Sequence, residues 1–353
     1  MKRHPVICPD QAFLLSAVGF LCLGRCLLAA ACVALVLPVG ALAAGERERI
    51  SINDDWRFMK YGASEKPDEL IYDVRPDVRK RRQIILGEDR ATAAAEVEAK
   101  QTVLKPWILP TGNDFVSDPA KRHAHPEGNV GADFPFVQAG FDDEAWDRVD
   151  LPHDWAIAGP FYEGWGAPVS GGMGRLPTPG VAWYRKKLDI PASDVGRSVF
   201  LDIDGAMSYA IVWLNGKLVG GWPYGYNSWR VDLTPYVKPG EENQLAIRLD
   251  NPNDSSRWYS GGGIYRNVWL VKTSPVHVAQ WGTYVTMPQV SKLRAEVTME
   301  VTVDNDSSQE MTVDVATNLF ETDSEGRRTG DPVARITQLE TDIAPDASEK
   351  VKG

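Results

Sequence analysis

The chain has 353 residues, of which 43% are hydrophobic and 24% are charged, enough for two or three domains with buried cores. Its formal net charge of −10 at pH 7 argues against nucleic acid and anionic membranes as partners, because both would repel it. A neutral ligand is compatible with this charge.

Residues 1–44 have the pattern of a secretory signal peptide. A basic N-terminus precedes an apolar stretch, and the small-x-small pattern at 41–43 supplies a cleavage site. Arg25 interrupts the apolar run, so the uncharged part is too short to span a membrane. We therefore expect an exported protein, periplasmic or secreted, with no membrane attachment once the signal is removed. A retained anchor and a lipoprotein modified at Cys32 are the alternatives.

All four cysteines lie within this signal segment. The chain after residue 44 therefore needs no disulfide and offers neither a thiol nucleophile nor a cysteine zinc site. His123 and His125 have an H-x-H spacing without an obvious set of carboxylates, and NPNDSS (251–256) is more simply a turn than a calcium loop. We predict no metal and no cofactor.

The first element after the signal is a short strand within 51–62. The charged residues that follow include an alanine-rich stretch, which favours a helix near 88–101. We interpret about 76–136 as an insertion on the domain surface. Its basic cluster at 79–82 is interpreted as a solvated face, not a binding patch.

The next part of the chain has the pattern of β-structure. Short segments rich in β-branched and aromatic residues are separated by turn residues, and Asn215-Gly216 suits a type I′ hairpin turn. Seven or more such strands without a helical period predict an all-β domain at 45–273, a jelly-roll β-sandwich. The tryptophans on these strands are expected in the core between the sheets: Trp183, Trp213 and Trp269.

A second β unit is predicted at 274–353. Its segments alternate apolar and polar residues, which indicates an immunoglobulin-like β-sandwich. Four or five strands are predicted where such a sandwich needs about seven. We therefore expect a partial, truncated sandwich with an unpaired edge.

The run RWYSGGGIYRNVWL (257–270) combines an aromatic pair with three glycines. It leads into a strand, whereas a phosphate cradle opens a helix, so a dinucleotide loop is excluded. Glycine here allows a sharp turn and a close backbone approach. Trp258 and Tyr259 can stack on a sugar ring while Arg257 and Asp254 bind its hydroxyls. Alternatively, Arg257 and Arg266 pair with acidic residues to fix the loop.

The segment LPHDWAIAGPF (151–161) is the second candidate for a binding loop. Asp154 can accept hydrogen bonds from substrate hydroxyls. Alternatively, Asp154 caps local N–H groups and His153 is simply a packed or exposed imidazole. The chain has no G-x-S-x-G nucleophile elbow.

Several motifs, in order from about Ile50 to Lys272, resemble glycoside hydrolase family 2, most of all its β-galactosidase members. The resemblance implies a jelly-roll sugar-binding domain and an immunoglobulin-like domain ahead of a (β/α)8 barrel. The barrel carries both catalytic glutamates of a retaining mechanism. In the family, an asparagine usually precedes the glutamate that acts as acid/base. This chain has no Asn-Glu dipeptide, so we assign it no catalytic residue. The motifs are FDDEAWDRVDLPHDWAI (141–157), VAWYRKKLDI (181–190), the run 200–251 and RWYSGGGIYRNVWL.

The resemblance also implies which residues bind substrate. In the family, the loop matching LPHDW places a side chain in the pocket for the terminal sugar, which here is Asp154. The loop matching NDSSRWYSGGG borders the same pocket, or mainly docks the domain on the barrel. The candidates that the resemblance places in this second loop are Asp254, Ser256, Arg257 and Trp258.

The leading hypothesis is therefore the N-terminal part of an exported retaining β-glycosidase, with β-galactosidase as its activity. Its expected partners are a β-linked glycoside, the C-terminal catalytic barrel of the same protein and further copies in a homo-oligomer. The alternatives are a freestanding, non-catalytic carbohydrate-binding module and a purely structural β-sandwich. Galactose, glucuronate and mannose enzymes share this front end, so the sugar stays open.

Overall fold

A computed structural model describes residues 46–62, 118, 120, 129, 131–161, 176–251 and 261–353. The predicted signal segment, the predicted helix near 88–101 and most of the predicted insertion lie outside these residues. The described residues form two compact units, one from 48–195 and 199–272 and the other mainly from 273–353. Among them, no helix is long and apolar enough to cross a membrane.

The first unit contains a four-stranded and a six-stranded sheet, in the orders β1-β10-β5-β8 and β3-β2-β4-β9-β6-β7. All pairs in the six-stranded sheet are antiparallel. The all-β prediction is confirmed. The strands are β1 Glu48–Ser51, β2 Trp56–Lys60, β3 Asp147–Val149, β4 Gly180–Asp189, β5 Ser198–Ile203, β6 Ala210–Leu214, β7 Lys217–Trp222, β8 Trp229–Asp232, β9 Glu242–Asn251 and β10 Val268–Thr273.

The main core lies between these two sheets. Alternate residues of each strand point to one face, so every second side chain of β5 packs against side chains from β4, β6 and β9. Trp56 and Trp229 belong to this core, and the Trp56 indole N–H donates to the Ile52 carbonyl at 2.7 Å. The two sheets therefore form a sandwich, as predicted.

The other face of the six-stranded sheet is also covered. Trp183 and Trp213 are fully buried there, under a segment that includes the one-turn 3₁₀ helix Pro135–Val137 and Trp146. The prediction that both fill the space between the sheets is therefore wrong, although both are core residues. Alternation along a strand assigns them to one face but does not show what covers that face.

Trp269 differs from these two tryptophans. It is half-buried, and its indole N–H donates to Asp204 Oδ2 at 2.9 Å, while the Arg49 guanidinium lies 3.7 Å from its ring centroid. The expectation that Trp269 fills the core is therefore wrong. A cation, not a second sheet, covers part of its ring.

The predicted hairpin turn is confirmed. Asn215 and Gly216 have φ values of 53° and 75° and join β6 to β7. The Asn215 amide also donates to the Asn243 side chain at 2.8 Å, so the turn is tied to the start of β9.

Arg185 attaches the segment that covers Trp183 and Trp213 to the six-stranded sheet. Its side chain is 1% exposed, forms an ion pair with Asp143 and donates to the carbonyls of Gln138 and Phe141 at 2.8 and 3.1 Å. Burial lowers the pKa of this guanidinium, and the Asp143 carboxylate opposes that shift. The segment that leads into β3 is thus held by a buried, compensated charge.

The second unit also has two sheets, β11-β12-β15 and β13-β14. Its core takes valines and one isoleucine from both sheets, in agreement with the predicted sandwich. The buried Asn305 amide donates to the carbonyls of Ile343 and Ala344 at 2.9 and 3.1 Å. The strands are β11 Val276–Val290, β12 Ala295–Asn305, β13 Met311–Thr322, β14 Arg328–Ile343 and β15 Ala347–Lys352.

Candidate functional site

The segment 151–161, here called the Asp154 loop, runs along the glycine segment 261–264. The His153 amide donates to the Ile264 carbonyl at 2.8 Å, and the Trp155 amide donates to the Gly262 carbonyl at 2.9 Å. The two candidate binding loops of the sequence are therefore neighbours. Their contact consists of main-chain hydrogen bonds, which constrain the direction of the side chains between them.

Asp154 lies between these main-chain bonds and is half-buried. Its Oδ1 accepts hydrogen bonds from the Ala156 amide at 2.8 Å and from the Gly262 amide at 3.0 Å. The alternative that Asp154 caps backbone N–H groups is thus confirmed. Its role in binding a sugar hydroxyl stays a prediction.

The glycines permit the close approach. A Cβ on Gly262 would lie 2.4 Å from Cε2 of the Trp155 indole. A Cβ on Gly263 would lie 2.5 Å from the His153 carbonyl oxygen, and its φ of 121° also favours glycine. The prediction of a close backbone approach is confirmed, and the segment continues to β10, not to a helix.

Trp155 forms one wall of this site. Its ring stacks on Phe58 with centroids 6.1 Å apart and an interplanar angle of 23°, and its indole N–H donates to the Thr178 carbonyl at 3.1 Å. The Lys60 ammonium lies 5.8 Å from the ring centroid, and burial lowers the pKa of that amine. An aromatic surface and a half-buried cation thus lie beside the Asp154 loop.

His153 packs inward. Its ring contacts Phe58 edge-on at 4.5 Å between centroids, and its Nδ1 lies 2.8 Å from the Tyr184 hydroxyl. Burial lowers the pKa of the imidazole, while the charges of Asp154 and Asp147 oppose the shift. His153 is therefore a packed imidazole, one of the two alternatives that the sequence left open.

Two further residues, Asn251 and Met207, also hold the glycine segment by hydrogen bonds. The Asn251 amide donates to the carbonyls of Thr178 and Gly261, both at 2.9 Å, and Met207 exchanges two backbone hydrogen bonds with Gly263 at 2.9 and 3.1 Å. Sequence reasoning missed Asn251 and Met207. The position of Asn251 at the end of a strand, just before the candidate loop, was the available signal.

The remaining candidate residues lie outside the described residues, so their contacts are not part of this geometry. Among the described side chains, no three from His, Cys, Asp and Glu are grouped so that they could hold a metal ion. The candidate binding residues that lie outside the described part of the chain are Asp254, Ser256, Arg257 and Trp258.

Comparison with known proteins fits this arrangement. Residues 180–261, from β4 to the first glycine of the site, match the family described as glycosyl hydrolase 2 galactose-binding domain-like. These residues are thus similar to the galactose-binding-like domain of glycoside hydrolase family 2. The predicted resemblance is confirmed for this part of the chain.

Individual relatives have glycosidase names. A β-galactosidase of Bacteroides ovatus is 45% identical over 200 residues, which are 56% of this chain and 23% of that protein. A putative β-glucuronidase of Formosa agariphila is 31% identical over 169 residues, 48% of this chain and 16% of that protein. This chain thus spans less than a quarter of the length of these relatives.

Solved structures have the same fold. A family 2 glycosyl hydrolase from Bacteroides cellulosilyticus is 30% identical, with a TM-score of 0.55, over 65% of this chain and 28% of that one. The match to a β-glucuronidase of family 2, with 20% identity and a TM-score of 0.58, covers 89% of this chain and 27% of that one. The second likeness concerns the fold alone.

Replacement of Gly262 tests the close approach. We expect Gly262→Ala to lower the free energy of unfolding by about 1–3 kcal/mol, because its methyl group overlaps the Trp155 ring. Urea unfolding followed by tryptophan fluorescence measures the change. Gly140→Ala is the matched control, since a Cβ there meets nothing within 4 Å. Equal stability of both variants would contradict the packing described here.

The pKa of His153 predicts a pH dependence of stability. Its folded-state pKa is lowered below the ordinary value of 6.5, so folding favours the neutral ring. This stabilisation is fully present above pH 6.5 and is lost as the pH falls through the lower folded pKa. Burial also lowers the pKa of His277, so the comparison is made in a His277→Gln background. There, His153→Gln should flatten the fall in unfolding free energy below pH 6.5; an unchanged slope would refute the assignment.

Proposed function

We propose that this chain is the N-terminal part of an exported retaining β-glycosidase, with β-galactosides as substrates. It would complete the sugar pocket of a catalytic barrel in the same polypeptide. The 45% identity to a β-galactosidase, of which the chain spans 23%, supports both the sugar and the place in a longer protein. Export is proposed from the signal pattern in residues 1–44, and assembly into homo-oligomers from the family resemblance.

The observation that carries this proposal is the fixed carboxylate of Asp154. A carboxylate has about four acceptor positions, and Oδ1 of Asp154 accepts hydrogen bonds from the amides of Ala156 and Gly262. They orient the group before any ligand arrives, which reduces the cost of ordering it on binding. We assign to this carboxylate a hydrogen bond with a hydroxyl of the terminal sugar, with Trp155 as the neighbouring aromatic surface.

A freestanding carbohydrate-binding module is the second candidate. The match to a galactose-binding-like domain favours it. Such a module must bind sugar without a catalytic barrel, so this chain alone must have sugar affinity. Calorimetry of the purified chain with methyl β-galactoside distinguishes affinity in the isolated chain from affinity that needs the barrel.

Hydrolysis assays test whether bond cleavage needs the catalytic barrel. We expect the purified chain to release no nitrophenol from 4-nitrophenyl β-galactoside above the blank, because the family resemblance places both catalytic glutamates in the barrel. A longer protein expressed from the source gene should hydrolyse the same substrate, and NMR should show the β-anomer first. Turnover that co-purifies with the 353-residue chain would overturn this view.

Two substitutions separate the structural and binding roles of Asp154. Asp154→Asn keeps a carbonyl oxygen for the amides of Ala156 and Gly262, whereas Asp154→Ala removes it. In the longer protein, Asp154→Asn should lower kcat/KM by about tenfold to a hundredfold at unchanged thermal stability, as expected for one charged hydrogen bond.

Asp154→Ala should lower both stability and kcat/KM. If Asp154 only caps the loop, Asp154→Asn will have wild-type kinetics while Asp154→Ala unfolds at a lower temperature. That result would remove Asp154 from the sugar pocket.

A further inference from the structure

The segment 223–228, here called the Tyr224 loop, has an exposed aromatic surface that the proposed function does not use. Tyr224 follows β7 and is 57% exposed. The Tyr226 ring lies 5.4 Å away between centroids, at an interplanar angle of 59°. The two rings thus form a tilted pair, with Tyr224 turned toward solvent.

The backbone under this pair is held closely. The Tyr265 hydroxyl donates to the Gly225 carbonyl at 2.8 Å, and the Tyr209 amide donates to the Pro223 carbonyl at 3.1 Å. A Cβ on Gly225 would lie 2.4 Å from the Met207 sulfur, so Gly225 packs directly on that side chain. The loop between the two tyrosines therefore has a fixed base.

The far end of the loop is anchored as well. The Trp222 indole N–H donates to Asn227 Oδ1 at 2.9 Å, and the Ser228 hydroxyl donates to the Asp204 carbonyl at 3.1 Å. Five contacts thus order a short loop whose Tyr224 ring stays exposed. An ordered, exposed aromatic ring loses little conformational entropy when a ligand covers it.

The Tyr224 loop lies at the same end of the first unit as the Asp154 loop. Met207 packs on Gly225 and also exchanges backbone hydrogen bonds with Gly263, which is adjacent to the Asp154 contact at Gly262. The Tyr224 loop therefore shares its support with the proposed sugar site.

We propose that Tyr224 is a stacking surface for a pyranose ring of the glycoside, outside the pocket for the terminal sugar. This inference rests on the proposed function and extends it from a single sugar to an oligosaccharide. The C–H face of a pyranose is apolar and uncharged, so it suits the negative face of an aromatic ring on an acidic protein. Nucleotides also stack on aromatic rings, but their phosphates are repelled by a net charge of −10.

Calorimetric titration of the purified chain with β-1,4-galactotriose tests the proposal. Tyr224→Ala should weaken binding by about tenfold, because it removes the stacked ring. Tyr224→Phe keeps the ring and should stay within about twofold of the wild type. Tyr284→Ala is the matched control, since Tyr284 is a tyrosine of the second unit that is 65% exposed. The Tyr284→Ala chain should bind galactotriose as tightly as the wild type.

Three results would overturn the proposal: no binding of galactotriose by the wild-type chain, an unchanged affinity of Tyr224→Ala, or an equal loss in Tyr224→Phe. The Asp154 experiments and the activity assay of the longer protein use nitrophenyl galactoside, which has a single sugar. An active enzyme that depends on Asp154, together with an unaffected Tyr224→Ala chain, would reject only the stacking surface. An inactive longer protein would reject the proposed function instead.

Discussion

Residues 153–155 lie against residues 262–264 through main-chain hydrogen bonds, and two glycines make that distance sterically possible. A side chain at Gly262 or Gly263 would overlap the Trp155 ring or the His153 carbonyl. The orientation of Asp154 depends on this contact, because its Oδ1 accepts a hydrogen bond from the Gly262 amide. Met207, and through it the Tyr224 loop, is attached to the same glycines.

The six-stranded sheet supports this end of the molecule because it is buried on both faces. One face meets the four-stranded sheet, and the other is covered by the segment that Arg185 and Asp143 hold in place. That segment continues into β3, which precedes the Asp154 loop. A buried charge is costly to leave unpaired, so this ion pair constrains the route of the chain as well as its stability.

Much of the fold could be predicted from local pattern. Alternating β-branched and aromatic residues indicated the strands. Asn215-Gly216 indicated the turn, because a type I′ turn needs a positive φ at both central residues and few residue types adopt one. The motifs of the glycosidase family also identified both loops of the candidate site. The placement of Trp183 and Trp213 was wrong because alternation does not show that an irregular segment covers the second face of a sheet.

The sequence by itself determined the β-class, the hairpin chemistry, the family resemblance and the choice of Asp154 as a candidate. Only the tertiary structure decided that Asp154 Oδ1 holds the Gly262 amide, 108 residues away along the chain. Local pattern sets backbone angles and the face of each side chain, because those depend on neighbouring residues. Contacts between distant segments depend instead on how the two sheets pack, which no short stretch of sequence specifies.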